Sequence, residues 1–266
     1  MHYFYRKFET LSMNFIVIIP SRYESTRFPG KPLADICGKM MIQRVYEQAS
    51  KAIKEVWVAT DDQRIVDAVK SFGGNVVMTS LNHRSGTDRC AEAVLKASEM
   101  TGKTYDVVIN VQGDEPFMQP REIELITKCF KDSPDTQIAT LIQPILKNED
   151  IFRPDMVKVI LDNQQNAICF SRSPIPHIFG VKESKWLENY PFYGHVGLYA
   201  YRNSVLQQLS LLKEGLLEKV ESLEQLRWLE NGFKIKTNVT DSDNFGIDTP
   251  EDLRLAVEGG IEKYYL

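Results

Sequence analysis

The stretch Asn14–Leu33, NFIVIIPSRYESTRFPGKPL, governs how the rest of the chain is read. Its apolar run, Phe15 to Ile19, ends at Pro20. A short apolar run bounded by a turn former suits a buried parallel strand better than a helix. Proline has no N–H to give a ladder, so Pro20 marks the strand's end. The loop beyond holds Ser21, Ser25, Thr26, Pro29, Gly30 and Pro32, and it carries the cations Arg22, Arg27 and Lys31. Positive charges crowded on one loop repel each other, and a bound polyanion relieves that repulsion. A solvated basic surface loop is the plainer alternative.

Two familiar phosphate loops are excluded. No GxGxxG is present, so the dinucleotide fingerprint fails. Gly30-Lys31 resembles the end of a P-loop, but Pro32 stands where the metal-binding Ser/Thr belongs, and no glycine lies five residues before Gly30.

The strands that follow alternate with helices. Helical spacing covers Met40–Lys51, Gln63–Phe72, Thr87–Met100 and Pro120–Lys131. Strands are read at Glu55–Ala59, Val76–Met78 and Tyr105–Val111. Thr60 or Asp61 is the expected cap of the second helix, Thr87 of the third, and Gly73-Gly74 the stop of the second. This alternation predicts an α/β fold, a mostly parallel Rossmann-like sheet flanked by helices. Ligands of such sheets bind outside the carboxyl ends of the strands. The basic loop and Gln112-Gly113-Asp114-Glu115-Pro116 therefore share one rim.

After about residue 136 the pattern changes. Ile138–Ile145, Val157–Leu161, Ala167–Phe170 and Val196–Tyr201 read as strands, and residues 172–195 are rich in proline, glycine and aromatics. Helices at Ser204–Leu212 and Leu223–Leu229 and a strand at Phe233–Val239 follow. Gly246-Ile247-Asp248 reads as a short strand before a helix capped by Thr249, with Pro250 at its first position. The expectation is one domain over 13–266, with a strand-rich insertion at about 140–200. Met13 stands directly before the first strand, so residues 1–12 are read as an extension.

With 43% hydrophobic and 26% charged residues, the composition is that of an ordinary globular protein. The net charge of −4 argues against nucleic acid or acidic lipid as a partner. No apolar run has the length of a membrane span. Cys37, Cys90, Cys129 and Cys169 lie far apart, which speaks against a zinc site and suits reduced thiols in the cytoplasm.

Three constellations can carry chemistry. Asp114 and Asp248 both stand at predicted strand ends, where two carboxylates plus phosphate oxygens make a magnesium site. Asp248 also reads as a helix cap, Asp114 as a turn residue, and Glu115 competes for Asp114's role. The second constellation, Arg84-Ser85-Gly86-Thr87-Asp88-Arg89, runs into a helix N-terminus, which attracts anions. The third gathers Arg172 at a strand end, His195 before a strand, and Glu224-Gln225 on a helix. Arginine is the side chain shaped to grip a carboxylate, whereas Glu224 and Gln225 could be plain surface residues.

In order and spacing, PSRYESTRFPGKPL, RSGTDR, QGDEP, the Arg172–His195–LEQLR set and GIDTPEDL resemble the sugar-activating nucleotidyltransferases. Among these they are most similar to the 3-deoxy-manno-octulosonate (Kdo) cytidylyltransferases. The resemblance implies that CTP and Kdo become CMP-Kdo and pyrophosphate, for lipopolysaccharide synthesis. It implies CTP contacts from Ser21, Arg22, Arg27, Lys31, Arg84, Ser85, Gly86, Thr87, Arg89 and Gly113. It implies sugar contacts from Gln112, Arg172, His195, Glu224 and Gln225, and Mg2+ on Asp114 and Asp248. Lys31, Arg22, Asp114 and Asp248 would be the catalytic set, and a homodimer would form through the insertion. Segment 173–193 carries no motif.

Overall fold

The computed structural model describes residues 13–24, 27–242 and 246–260. The extension 1–12 and the loop residues Ser25 and Thr26 lie outside the described residues. β1 (Phe15–Ser21) forms at the quoted run inside the main sheet, but it does not end at Pro20 as expected: Pro20 and Ser21 still pair with Ala59 and Thr60 of a neighbouring strand. Ile16 and Ile18 pack into the core on one face, Val17 and Ile19 into the core on the other. Both faces are covered, so no position needs a polar side chain, and the strand reads as an uninterrupted apolar run.

A small ribbon of β2 (Asp35–Ile36) and β3 (Lys39–Met40) follows. The chain then runs through α1 (Met41–Ala52), β4 (Val56–Thr60), α2 (Gln63–Ser71) and β5 (Asn75–Met78). Next come α3 (Gly86–Thr101), β6 (Val107–Asn110) and α4 (Pro120–Asp132). The second half holds β7 (Ile138–Pro144), β8 (Lys158–Leu161), β9 (Ala167–Ser171), α5 (Trp186–Asn189) and β10 (Tyr193–Arg202). It closes with α6 (Asn203–Leu209), α7 (Leu216–Glu221), α8 (Glu224–Glu230), β11 (Ile235–Val239) and α9 (Pro250–Glu258).

The main sheet is ordered β11-β7-β10-β6-β1-β4-β5. Every pairing along it is parallel except the two made by β10, which runs against both β6 and β7. The mostly parallel, helix-flanked α/β sheet expected from the sequence is thus the observed one. β8 and β9 form an antiparallel pair, with β8 laid against the first residues of β10. Helices α1, α2 and α4 cover one face, and α3, α6 and α8 cover the other.

Three further local expectations are corrected. The cap of α2 is Asp62, whose Oδ1 accepts from the Arg64 N–H at 2.9 Å, not Thr60 or Asp61. The cap of α3 is Ser85, accepting from the Asp88 N–H at 3.2 Å, not Thr87. Gly246–Asp248 is not a strand; the Ile247 N–H donates to the Asp114 carbonyl at 2.9 Å. That one bond ties the two aspartate-bearing segments together without a ladder. Thr249 caps α9 as expected, with Pro250 at its start.

Beyond β1 and β6 the backbones nearly touch. A Cβ on Gly113 would lie 2.6 Å from Ser21 Oγ and 2.9 Å from the Pro20 carbonyl oxygen. The carbonyl belongs to the rigid end of a central strand, so the QGDEP turn would have to move. Gly113→Ala is expected to cost about 1–3 kcal/mol, the usual range for overpacking, and to lower turnover by displacing Asp114. Chemical denaturation with a turnover assay checks it; wild-type values in both would mean that the two strand ends separate freely.

Candidate active site

The basic loop, the start of α3 and the QGDEP turn line a cleft of about 400 Å³ at the carboxyl ends of β1 and β6. Lys31 reaches into it from a turn opened by Gly30, whose left-handed φ of 73° suits a residue without a Cβ. Its Nζ stands 2.6 Å from Asp114 Oδ2 and 3.3 Å from Asp248 Oδ1. Arg27 adds Nη2 at 3.0 Å to the same Asp248 oxygen. Two carboxylates far apart in sequence thus meet on one ammonium. Asp248 faces these cations and leaves capping to its neighbour Thr249. Arg22, which also lines the cleft, is exposed and donates through Nη2 to the His83 carbonyl.

Asp114 and Glu115 point to different surroundings. Glu115 lies with Glu122, Gln143, His195 and Gly197 around a smaller cavity of about 140 Å³. Burial first, then the charges of Asp114 and Glu122, push its carboxyl up to about 8. Of the two competing carboxylates, Asp114 is therefore the one that meets Lys31.

The second constellation divides. Arg84 is exposed, and Gly86 lines the cleft. Arg89 is among the residues that line the cleft yet is fully buried, donating to Asp61 Oδ2 at 2.5 Å and Thr79 Oγ1 at 2.6 Å. Thr87 is 2% exposed, and its hydroxyl donates to Glu224 Oε2 at 2.9 Å. The partners Asp61 and Thr79 were not legible beforehand. The only signal was Asp61 at a strand end, where it read as a cap.

Around the third constellation, Gln112 Nε2 donates to Asn110 Oδ1 at 3.1 Å. Arg172 uses Nε on the Glu221 carbonyl (2.6 Å), Nη1 on the Pro154 carbonyl (3.0 Å) and Nη2 on the Ser222 carbonyl (3.3 Å). A guanidinium has five N–H groups, so these contacts leave two. The wholly buried Lys158 donates to the carbonyls of Arg153, Met156 and Arg172, fixing the backbone beneath that guanidinium. Gln225 is 5% exposed, so the surface-residue alternative fails for it.

His195 sits where β10 shifts register against β7 between Val196 and Tyr199. Thr140 Oγ1 lies within hydrogen-bond distance of the Val196 and Leu198 carbonyls and 3.0 Å from His195 Nε2. A hydroxyl has one proton to give. With that proton on a carbonyl, Nε2–H must donate to Thr140, which leaves Nδ1 as the acceptor. Burial pushes the imidazole down to about 3, so it is neutral at pH 7.

A family model for cytidylyltransferases matches residues 16–235. The chain belongs to the cytidylyltransferase family. It is 56% identical over 249 residues to the 3-deoxy-manno-octulosonate cytidylyltransferase of Parabacteroides distasonis, spanning 92% of this chain and 97% of the relative. It is 48% identical to the 8-amino-3,8-dideoxy-manno-octulosonate cytidylyltransferase of Shewanella pealeana, over 91% of this chain and 97% of that one. A CMP:2-keto-3-deoxy-manno-octonic acid synthetase solved in complex with CTP superposes with a TM-score of 0.84 at 42% identity, covering 94% of this chain and 99% of the other.

Protonation of His195 supplies a pH test. Between its folded value near 3 and its ordinary 6.5, only the unfolded chain takes up the proton. Its contribution to stability is therefore present above 6.5 and is lost as pH falls toward 3. Denaturation curves from pH 8 to pH 4 should fall more steeply for the wild type than for His195→Gln, which does not titrate. Equal slopes would mean that the ring accepts its proton in the folded state.

Proposed function

We propose that the protein transfers CMP from CTP to 3-deoxy-manno-octulosonate, releasing pyrophosphate. The observation that carries this reading is the convergence of Lys31, Arg27, Asp114 and Asp248 at the rim of a cytidylyltransferase fold. The sugar's anomeric oxygen forms a bond to the α-phosphorus, the bond from that phosphorus to the bridging oxygen breaks, and the hydroxyl proton is lost. No covalent enzyme intermediate is needed, so alignment and charge neutralisation supply the catalysis.

Asp114 and Asp248 are the proposed magnesium ligands. The fit is supported by the way both carboxylates close on a single cation, the Lys31 ammonium. Among the described residues no group of three or more metal-ligating side chains occurs, so further ligands would come from the triphosphate. Bound there, magnesium would neutralise phosphate oxygens and lower the pKa of the attacking hydroxyl. Arg22, Arg27 and Lys31, with Ser21, Arg84, Ser85, Gly86 and Gly113, hold the nucleotide. Arg89 lines the same cleft with its guanidinium committed to Asp61 and Thr79, and Thr87 acts from behind it.

Arg172 turns its two remaining N–H groups to the sugar carboxylate. His195 offers the Nδ1 lone pair to a sugar hydroxyl, and Gln112, Glu224 and Gln225 complete that side. A second copy would dock on the insertion, where the apolar side chains Leu146 and Phe179 are exposed. No helix among the described residues is long and apolar enough to cross a membrane. We place the reaction in the cytoplasm, where CTP is held, as a step toward lipopolysaccharide.

Pyrophosphate release with CTP, magnesium and Kdo, against controls lacking one component, tests the reading. CTP binding without release would make the protein a non-catalytic nucleotide-sugar binder. The 8-amino relative favours a second acid sugar, so 8-amino-3,8-dideoxy-manno-octulosonate belongs in the same assay, and a preference for it would revise the acceptor. Lys31→Ala and Arg22→Ala should each lower turnover about 10²–10³-fold, the scale for losing one preorganised charge-stabilising donor. Wild-type turnover in both would remove the phosphate cradle. Asp248→Asn should abolish magnesium-dependent turnover with an unchanged unfolding midpoint; full activity at low magnesium would end its assignment as a ligand.

A further inference from the structure

Thr87 stands at the second position of α3, directly after the loop assigned to the nucleotide, yet its hydroxyl is committed elsewhere. It is 2% exposed and donates to Glu224 Oε2 at 2.9 Å, bridging residues 137 apart in sequence. The other Glu224 oxygen, Oε1, accepts from Arg227 Nη2 at 2.7 Å. Arg227 is 3% exposed and is itself held by Glu218 Oε2 at 3.3 Å and the Leu212 carbonyl at 3.1 Å.

These two bonds differ in what they fix. Glu224 and Arg227 are one turn apart on the same helix, so their contact moves with α8 and sets no direction relative to the sheet. The Thr87 bond ties the carboxylate to α3, whose first turn forms part of the cleft. Burial raises the Glu224 carboxyl, against the lowering pull of Thr87, Ser85 and Arg227. A buried carboxylate with one partner removed is free to rotate toward the other.

We propose that Thr87 is a positioning residue for the acid sugar, acting through Glu224 rather than by contact with CTP. The inference rests on the assignment of Glu224 to the sugar side. It reverses the nucleotide role that the RSGTDR resemblance gives Thr87: a nearly fully buried hydroxyl donated to a carboxylate has no proton left for CTP. One hydroxyl thereby links the turn that follows the nucleotide loop to the helix that carries Glu224 and Gln225.

Steady-state kinetics with each substrate varied in turn tests it. Thr87→Val, which keeps the shape and removes the donor, should raise the KM for the sugar about tenfold, the scale of one hydrogen bond to a charged group. The KM for CTP should stay within about twofold, and Thr87→Ser, which keeps the donor, should restore the sugar KM. Should Thr87→Val fail to fold, Thr87→Cys keeps the volume with a weak donor and should give an intermediate sugar KM. Glu224→Gln separates the two readings. If it leaves the sugar KM unchanged, the assignment of Glu224 fails. If it raises the sugar KM while loss of the Thr87 donor does not, the positioning role fails and the assignment of Glu224 stands. A rise confined to the CTP KM in Thr87→Val would return Thr87 to the nucleotide.

Discussion

The ammonium of Lys31 holds together three segments that the chain keeps far apart. It meets Asp114 from the turn after β6 and Asp248 from the approach to α9, at separations of 83 and 217 residues. Lys31 is mostly covered, whereas the aspartates are more than a third exposed on average, so the pairing gains from partial burial at one end only. Exposed ion pairs contribute little to stability. What this one supplies is position: it brings both carboxylates to the same point of the cleft. On the proposed reading, Arg27 and Lys31 would turn to the triphosphate while Asp114 and Asp248 would hold magnesium, so that charges already paired would be redistributed.

That arrangement alters the meaning of the basic loop. Read in sequence, three cations in an acidic chain demand an outside anion. In the fold, Lys31 and Arg27 find Asp114 and Asp248, and Arg22 finds the His83 carbonyl. Each of the three cations thus has a partner before any ligand arrives, through contacts that no local spacing announces. The same limit explains Arg89. A buried arginine requires a partner, and Asp61 lies 28 residues away on another strand's end.

What was legible follows physical lines. Strands buried on both faces appear as apolar runs, so β1, β4 and β6 were found to within two residues. Caps slipped by one or two positions, because Thr60, Asp61 and Asp62 each offer an oxygen and only the chain's path chooses among them. The segment 246–248 read as a strand because it is short, with the buried Ile247 beside Asp248. Among the described residues it pairs with no strand, and a bond to the Asp114 carbonyl takes the place of a ladder. α7 escaped notice because Leu216, Leu217 and Val220 stay exposed, so its sequence lacks a clear buried stripe.

Glu115 completes the electrostatics of the rim. Asp114 and Asp248 meet the same ammonium, and Glu115 follows Asp114 in sequence, so a third full charge beside them would oppose the site. Adjacent residues in the QGDEP turn divide the problem. Asp114 faces the Lys31 ammonium, while Glu115 turns into the sheet beside Gly197 and Gly246, where burial raises it to about 8. At neutral pH the inner carboxyl is protonated and the outer one is paired. A glutamate exposed at the same position would bring a third negative charge beside the two carboxylates that already share Lys31 and Arg27, which makes its burial as much a part of the site as the ion pairs around it.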